Sequence, residues 1–442
     1  MQSKKYWSRV FLVFASCCLI CGFLLSTGLS AAGLKDLKPV PFLSSIVNSG
    51  QGTMAFAPQA MPLAPQAMAM GPAPLAAGAG CPRGRDIIVD AAKGPIFDIQ
   101  TAVDMASDGD KIKVRPGVYA GFEVYGKNCL EIDGENDKTI ITGGALRSDL
   151  YTSTYLVTIF VYNSQNIVLK DLKVMDDLDE IGIWCGSGTS GKIEHCDIAA
   201  GAEAANSLLG AAVMIWGVGS PSAVSVKDFK VHDFGVLGIG AYSPGTSAVI
   251  ENNEIKGYVS NDSGSGIGGI VVAIGASATI KNNKISNMTS EDSFSSAGIY
   301  AIGGAVDMEN NEIENCQVGL WTQAFNGATL SVPVVRSKND KIRDCTTSYG
   351  QGVGMFLKDT DMNTLIQNAH IWNNDIGIYQ MNNGDLVGGT FAKFKEGDLR
   401  LNFVYDVIQD PEYGDVTIYY HNTKWNTREV VGSTFTAYML KY

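Results

Sequence analysis

Four groups in the C-terminal half of the chain could do acid–base chemistry. The run FLKDTDMN carries Lys358, Asp359 and Asp361, and Asp375 follows in NNDIGIYQ. Two carboxylates at a set separation, one protonated and one ionised, hydrolyse glycosidic bonds. A lysine beside a uronic acid could instead abstract a ring proton, which is the chemistry of a lyase. The bland alternative for all four is charge at solvated turns.

Aromatic residues recur near these groups in one setting. Trp184, Tyr300, Trp321, Phe356 and Tyr379 each follow a Gly-aliphatic pair, as in Gly319-Leu320-Trp321. If the aliphatic residue points into a core, the next residue of a strand points out. An outward aromatic face suits the C–H faces of sugar rings, and Gln323 and Gln380 could reach the hydroxyls. These seven are the candidate substrate contacts. The competing reading is an aromatic ladder covered by loops.

Metal chemistry has less to stand on. MDDLDE groups Asp176, Asp177, Asp179 and Glu180, oxygen ligands of the kind calcium takes, without a complete calcium-loop motif. The histidines, His195, His232, His370 and His421, are scattered at no metal-ligand spacing. His195 falls on a turn position where it would stack, and His232 could reach a groove. No cofactor other than calcium is suggested.

The elements that must hold these residues repeat. AVIENNEIKGY, ATIKNNKISNM and AVDMENNEIENC each place two corner residues between apolar residues five apart. The same pairing reads Leu169/Val174, Ile193/Ile198, Val226/Val231, Ile250/Ile255, Ile280/Ile285, Met308/Ile313, Ser337/Ile342, Ile366/Ile371 and Leu386/Phe391, with Ser337 alone breaking the apolar pattern. A period of 20 to 33 residues marks a solenoid. The first corner position needs a left-handed backbone, which Asn tolerates best after Gly. Stacked at strand spacing, about 4.8 Å, these side chains would bond from coil to coil as a structural ladder. The Gly-aliphatic word then follows at a variable distance, as a strand beyond a variable loop.

The N-terminus has the form of an export signal. Lys4, Lys5 and Arg9 precede an apolar run from Val10 to Leu25, and small residues end at Ala32. The run is short for a membrane span, which needs about 20 residues. Residues 33–80, with APQAM written twice, read as a Pro/Ala/Met-rich linker. Six cysteines follow position 32: Cys81, Cys129, Cys185, Cys196, Cys316 and Cys345, with their pairing open. Cys316 and Cys345 should stack, as a disulfide or as reduced thiols. The net charge of −12 argues against a nucleic-acid partner.

The Asn corner, the Gly-Ile strand and the opening IQTAVDMASDGDKIKVRPGVY together resemble the pectate-lyase-like superfamily of right-handed parallel β-helices. The resemblance spans about residues 86–400. It implies a capping helix at 97–107 and ligands along the Gly-Ile sheet. The Asn-Thr-Asp and Gly-His-Gly words of polygalacturonases are absent, as are the Asp-Phe-Ile-Phe-Gly of methylesterases and the Asp-Pro-His of alginate epimerases. No catalytic set transfers.

The expectation is an all-β, three-sheet, right-handed parallel β-helix over 81–400, with strands of 401–442 closing its C-terminal end. It is exported to the envelope or beyond, contacts polysaccharide along the Gly-Ile sheet, and has no membrane partner beyond its signal. If an enzyme, it is a polysaccharide lyase or glycoside hydrolase. The alternative is a non-catalytic structural or adhesive envelope protein. Oligomeric state is not legible.

Overall fold

Short runs such as Ser277–Lys281, SATIK, alternate half-exposed and buried residues, the period of a strand with one face in a core. Each such strand pairs in parallel with its counterpart in the next coil. Leu169, Ile193, Val226, Ile250, Ile280, Met308, Ser337 and Ile366 form one continuous register. Val174, Ile198, Val231, Ile255, Ile285, Ile313, Ile342 and Ile371 form a second, on the far side of the two-residue corner. The Gly-aliphatic strands form the third face, through Gly268–Ala273, Ala297–Ile302, Val318–Gln323, Val353–Lys358 and Ile376–Met381. The computed structural model is the expected right-handed parallel β-helix. It describes residues 81–148, 154–176, 180–200, 210–217, 219–257, 259–260, 267–290, 296–326, 330–347, 352–381, 390–399, 401–403, 405–410, 416–421 and 438–439. The expected signal and linker lie outside these residues, as do Asp177 and Asp179 of the acidic loop.

Two expectations about the C-terminal coils change. Ile366 pairs with Phe394, not with a residue at 386, so the last aligned coil turns through Lys395–Asp398. Coils also continue past residue 400. Tyr405–Asp410 adds in parallel to Ile376–Met381, and Val416–His421 adds to Thr390–Lys395. The corner there reads Lys-Glu-Gly-Asp, with Glu396 left-handed at φ 58°, so the Asn signal is missing while the geometry persists.

At the N-terminal end, helix α1 (Ile99–Met105) turns Ile99, Ala102 and Val103 into the core cluster that holds Val89, Ile112 and Val114. Asp98 caps it, accepting the Thr101 N–H at 2.7 Å. A disulfide joins Cys81 to Cys129. Cys185, Cys196, Cys316 and Cys345 are free and buried. Cys316 and Cys345 are free thiols filling the core, and burial pushes the Cys316 thiol up to about 12.

The glycine of the Gly-aliphatic word has a steric reason. A Cβ on Gly319 would lie 2.3 Å from the Ile342 methyl and 2.5 Å from the Gly354 carbonyl oxygen. Gly269 and Gly354 are boxed in the same way. The strand therefore approaches both its own coil and the next too closely for any side chain.

The corner carries two ladders, not one. Its first residues, Asn252, Asn282, Asn310, Asn339 and Asn368, are left-handed with φ between 50° and 58°. From Asn282 onward each Nδ2 donates to the Oδ1 of the preceding coil, at 3.3 Å for Asn282 and 2.8 Å for Asn368. The second residues, Asn253, Asn283 and Asn311, are buried at 2% exposure or less. There the backbone N–H and Nδ2 of each coil both donate to the Oδ1 of the following one, and Nδ2 also reaches a backbone carbonyl.

The buried ladder ends on a carboxyl. Asp340 accepts from the Asn311 N–H and Nδ2, both at 2.8 Å. Its other oxygen accepts from the Ser337 hydroxyl at 2.6 Å. This accounts for the one polar residue in the apolar pattern: Ser337 supplies the donor that an aspartate in a core requires. The next coil has Ala369 at this position, so nothing there continues the ladder.

Candidate functional site

The Gly-aliphatic sheet places its aromatic residues in register. Tyr300 pairs with Trp321, Trp321 with Phe356 and Phe356 with Tyr379. Their ring centroids stand 5.8, 4.6 and 5.3 Å apart, which is aromatic contact. Trp184 belongs to a separate cluster with Phe160 and Trp216, at 5.2 and 6.3 Å. Gly240 and Val271 occupy the coils between the two groups. Trp216 lies outside the Gly-aliphatic word: Ala212-Val213 stands at the Gly-Ile position of its strand, Met214 pairs with Trp184, and Trp216 pairs with Tyr242 two residues further on.

The outward stack exists, but as a ladder that solvent does not reach. Trp184, Tyr300, Trp321, Phe356 and Tyr379 are each 3–5% exposed. An open aromatic platform over these five rings is therefore corrected to a covered ladder. Gln380 is corrected too. It pairs with Leu357, which pairs with Thr322, and all three are fully buried on the inward face of the strand. Gln323 has the outward parity of Trp321 and keeps partial exposure.

The acid–base candidates do not converge. Lys358 ends its strand with the outward parity of Phe356 and is half-buried. Burial lowers its pKa, and the Asp359 carboxylate opposes that shift. Asp359 is fully buried just past the strand, with a left-handed φ of 52°. Asp361 shapes a turn, its Oδ1 accepting from the Asn363 N–H at 2.8 Å. Asp375 stands before the next strand and clamps the preceding loop, accepting from the Thr347 and Gly352 N–H groups. Burial raises its pKa.

Val353 pairs with Ile376 and Lys358 with Met381, so Asp375 and Asp359 lie at opposite ends of the sheet. At about 3.3 Å per residue, some seven residues put them roughly 20 Å apart along the strands. A glycosidase pair needs about 5–9.5 Å. Asp375 is thus removed from the expected constellation. Among the described residues no group of His, Cys, Asp or Glu could hold a metal ion. The calcium candidates Asp177 and Asp179 lie outside them, and the side chains of Asp176 and Glu180 are not described. His195 stacks as expected, between Asp171 and Asp228 at 3.8 and 3.6 Å. His232 lies on the strand after the corner, between Asp233 at 2.7 Å and Asp197 at 3.1 Å, away from the Gly-aliphatic sheet.

A different surface is more regular. The residues flanking the corner carry one sign within a coil and the opposite sign in the next. Lys170/Lys173, Glu194/Asp197, Lys227/Lys230, Glu251/Glu254, Lys281/Lys284, Glu309/Glu312 and Lys338/Lys341 follow in order. The first members pair in register from coil to coil, and so do the second. Glu309 meets Lys281 and Lys338, both at 3.1 Å, and Lys227 meets Glu251 at 2.5 Å. Between the rows runs the outer Asn ladder. A groove of about 480 Å³ opens there, lined by Asn310, Glu312, Asn339, Lys341, Asn368 and His370, with Asn311 beneath. The signal was visible in the words KDFK, ENNE, KNNK, ENNE and KNDK.

The family model for the right handed beta helix region matches residues 211–391. No curated protein matches the chain. Similar solved structures include a periplasmic alginate epimerase, at 11% identity over 72% of this chain and 77% of that one, with a TM-score of 0.44. An alginate lyase from Paenibacillus sp. is similar at 13% identity over 76% and 97%, with a TM-score of 0.38. A tailspike protein mutant of an E. coli bacteriophage, in complex with a pentasaccharide, is similar at 11% identity over 76% and 64%, with a TM-score of 0.40. By its coil register, its corner ladders and the family-model match over 211–391, the chain folds as a right-handed parallel β-helix.

Proposed function

We propose that this is an exported β-helix protein that binds polysaccharide at the edge of its Gly-aliphatic sheet without cleaving it. The carrying observation is the partition of the candidate residues. Gln323 and Lys358 stay partly accessible where the aromatic ladder ends, while Asp359, Asp361 and Asp375 are buried or committed to turns. An ammonium and an amide on adjoining strands bind hydroxyls and carboxylates, and a hydrolase would need a carboxylate pair that the described side chains of this edge do not offer. Export is supported by the form of residues 1–32 and by the Cys81–Cys129 disulfide, which suits an oxidising compartment.

The test is incubation of the full chain with uronate and neutral glycans, reading retention, new chain ends and 4,5-unsaturated products. Retention without products, weakened by Gln323→Ala and Lys358→Met, is expected. Unsaturated products lost in Lys358→Met would replace this reading with a lyase. No retention on any glycan would leave the structural or adhesive reading.

A further inference from the structure

We propose that the groove along the Asn corner is a second site, which takes an uncharged, hydroxyl-rich glycan strand lying across successive coils. This goes beyond the reading above, since it shares no residue with the Gln323–Lys358 edge.

The amide stoichiometry carries it. A primary amide has two N–H donors and two acceptor lone pairs. In the outer ladder Asn310 donates once, to Asn282, and accepts once, from Asn339. Asn339 likewise accepts from Asn368. Each therefore keeps one donor and one acceptor directed away from the ladder. Coil spacing repeats that pair about every 4.8 Å along the groove. A fixed array of paired donors and acceptors matches a polymer whose hydroxyls also recur and can both give and take a hydrogen bond. The left-handed corner fixes the backbone that carries these amides, so little rotamer freedom is lost on binding.

The flanking charges select against a polyanion. Glu312 pairs in register with Lys284 and Lys341, and Lys341 with His370. Across the corner, Glu309 sits between Lys281 and Lys338. The sign reverses at each coil on both walls up to Lys338/Lys341, and the next coil carries Gln367 and His370 in place of an acidic pair. One acidic and one basic coil therefore offset each other along the groove. A chain bearing one carboxylate per sugar would meet a like charge at the Glu309/Glu312 coil, whereas a neutral chain meets groups that donate or accept at each coil.

The experiment uses the full chain and calorimetric titration with cellohexaose, xylohexaose, mannohexaose and hexagalacturonate. The site variant is Asn310→Gly/Asn339→Gly/Asn368→Gly, because glycine keeps the left-handed corner and removes only the amides. Binding of a neutral hexamer, weakened roughly ten-fold or more in this variant, is expected. If the triple variant does not fold by circular dichroism, Lys341→Gln/His370→Gln leaves the corner intact and must weaken the same binding. Neutral binding that survives whichever variant folds overturns the corner site and leaves the polysaccharide reading standing. Tighter binding of hexagalacturonate than of every neutral hexamer overturns the uncharged class. No binding of any hexamer by the unaltered chain overturns this site. The polysaccharide reading falls with it only if longer glycans are not retained either.

Discussion

Asn310 and Asn311 are neighbours of one type in one corner, yet they belong to different physical regimes. Asn311 is buried, its Oδ1 takes two donors from Asn283, and its Nδ2 reaches both the Ile280 carbonyl and Asp340. Asn310 is exposed and makes two ladder bonds with spare capacity. The buried amide is needed because unpaired backbone groups in a core cost about 1–3 kcal/mol each. The exposed one is needed chiefly for its backbone angle. One residue of displacement thus separates a side chain that holds the coil together from one that is free to meet a ligand.

Substitution at the inner position should break this contrast most. Asn311→Ala strands two donors of Asn283 and the Ile280 carbonyl, and should cost about 4 kcal/mol, read as a fall in the denaturant midpoint. The carboxyl at the end of the same ladder gives the next effect. Burial raises the Asp340 pKa from 3.8 to about 6 despite the bonds from Ser337 and Asn311. A carboxyl whose folded pKa exceeds its unfolded one binds its proton more tightly when folded. Its contribution to stability is therefore greatest below pH 3.8 and is lost as pH rises through about 6. The loss is about 3 kcal/mol. Asp340→Asn should flatten this part of the pH–stability profile and stabilise the protein at pH 8. A profile identical to that of the unaltered chain would contradict the assignment.

The walls of the corner should respond less. Lys281→Glu sets like charges against Glu251 and Glu309, and should cost about 1 kcal/mol at low salt, less at high salt. Smallest of all is the outer amide itself. Asn310→Gly should change stability by less than about 0.5 kcal/mol, whereas Asn310→Ala should cost more, because alanine resists a left-handed backbone. A thermal melt of the two variants sharpens the comparison.

The coil register could be read in advance from isoleucines five apart, because the strand period and the two-residue corner leave little freedom. It failed at Leu386, where Lys-Glu-Gly-Asp replaces the Asn word and the apolar residues nearest the expected spacing were the wrong ones. Parity correctly placed Tyr300, Trp321, Phe356 and Tyr379 in one outward stack. It could not say whether that stack was covered, since alternation along a strand fixes the face of a side chain and not its exposure. Gln380 was misplaced although parity was enough: it adjoins Tyr379 and must face the other way. The carboxylates were grouped by nearness along the chain, but Asp359 and Asp375 sit at opposite ends of adjacent strands. The alternating signs around the corner are legible in the words ENNE and KNNK, where each coil flanks its amides with one sign.

Those signs make the true building block of this solenoid a double turn. Duplicating or deleting one rung between Lys170 and Lys341 would lay lysine on lysine or glutamate on glutamate along both walls at once. Two rungs can be gained or lost with the pattern intact. Descendants of such a chain should therefore grow and shrink in even numbers of turns, and an engineer lengthening it should copy ENNE and KNNK together.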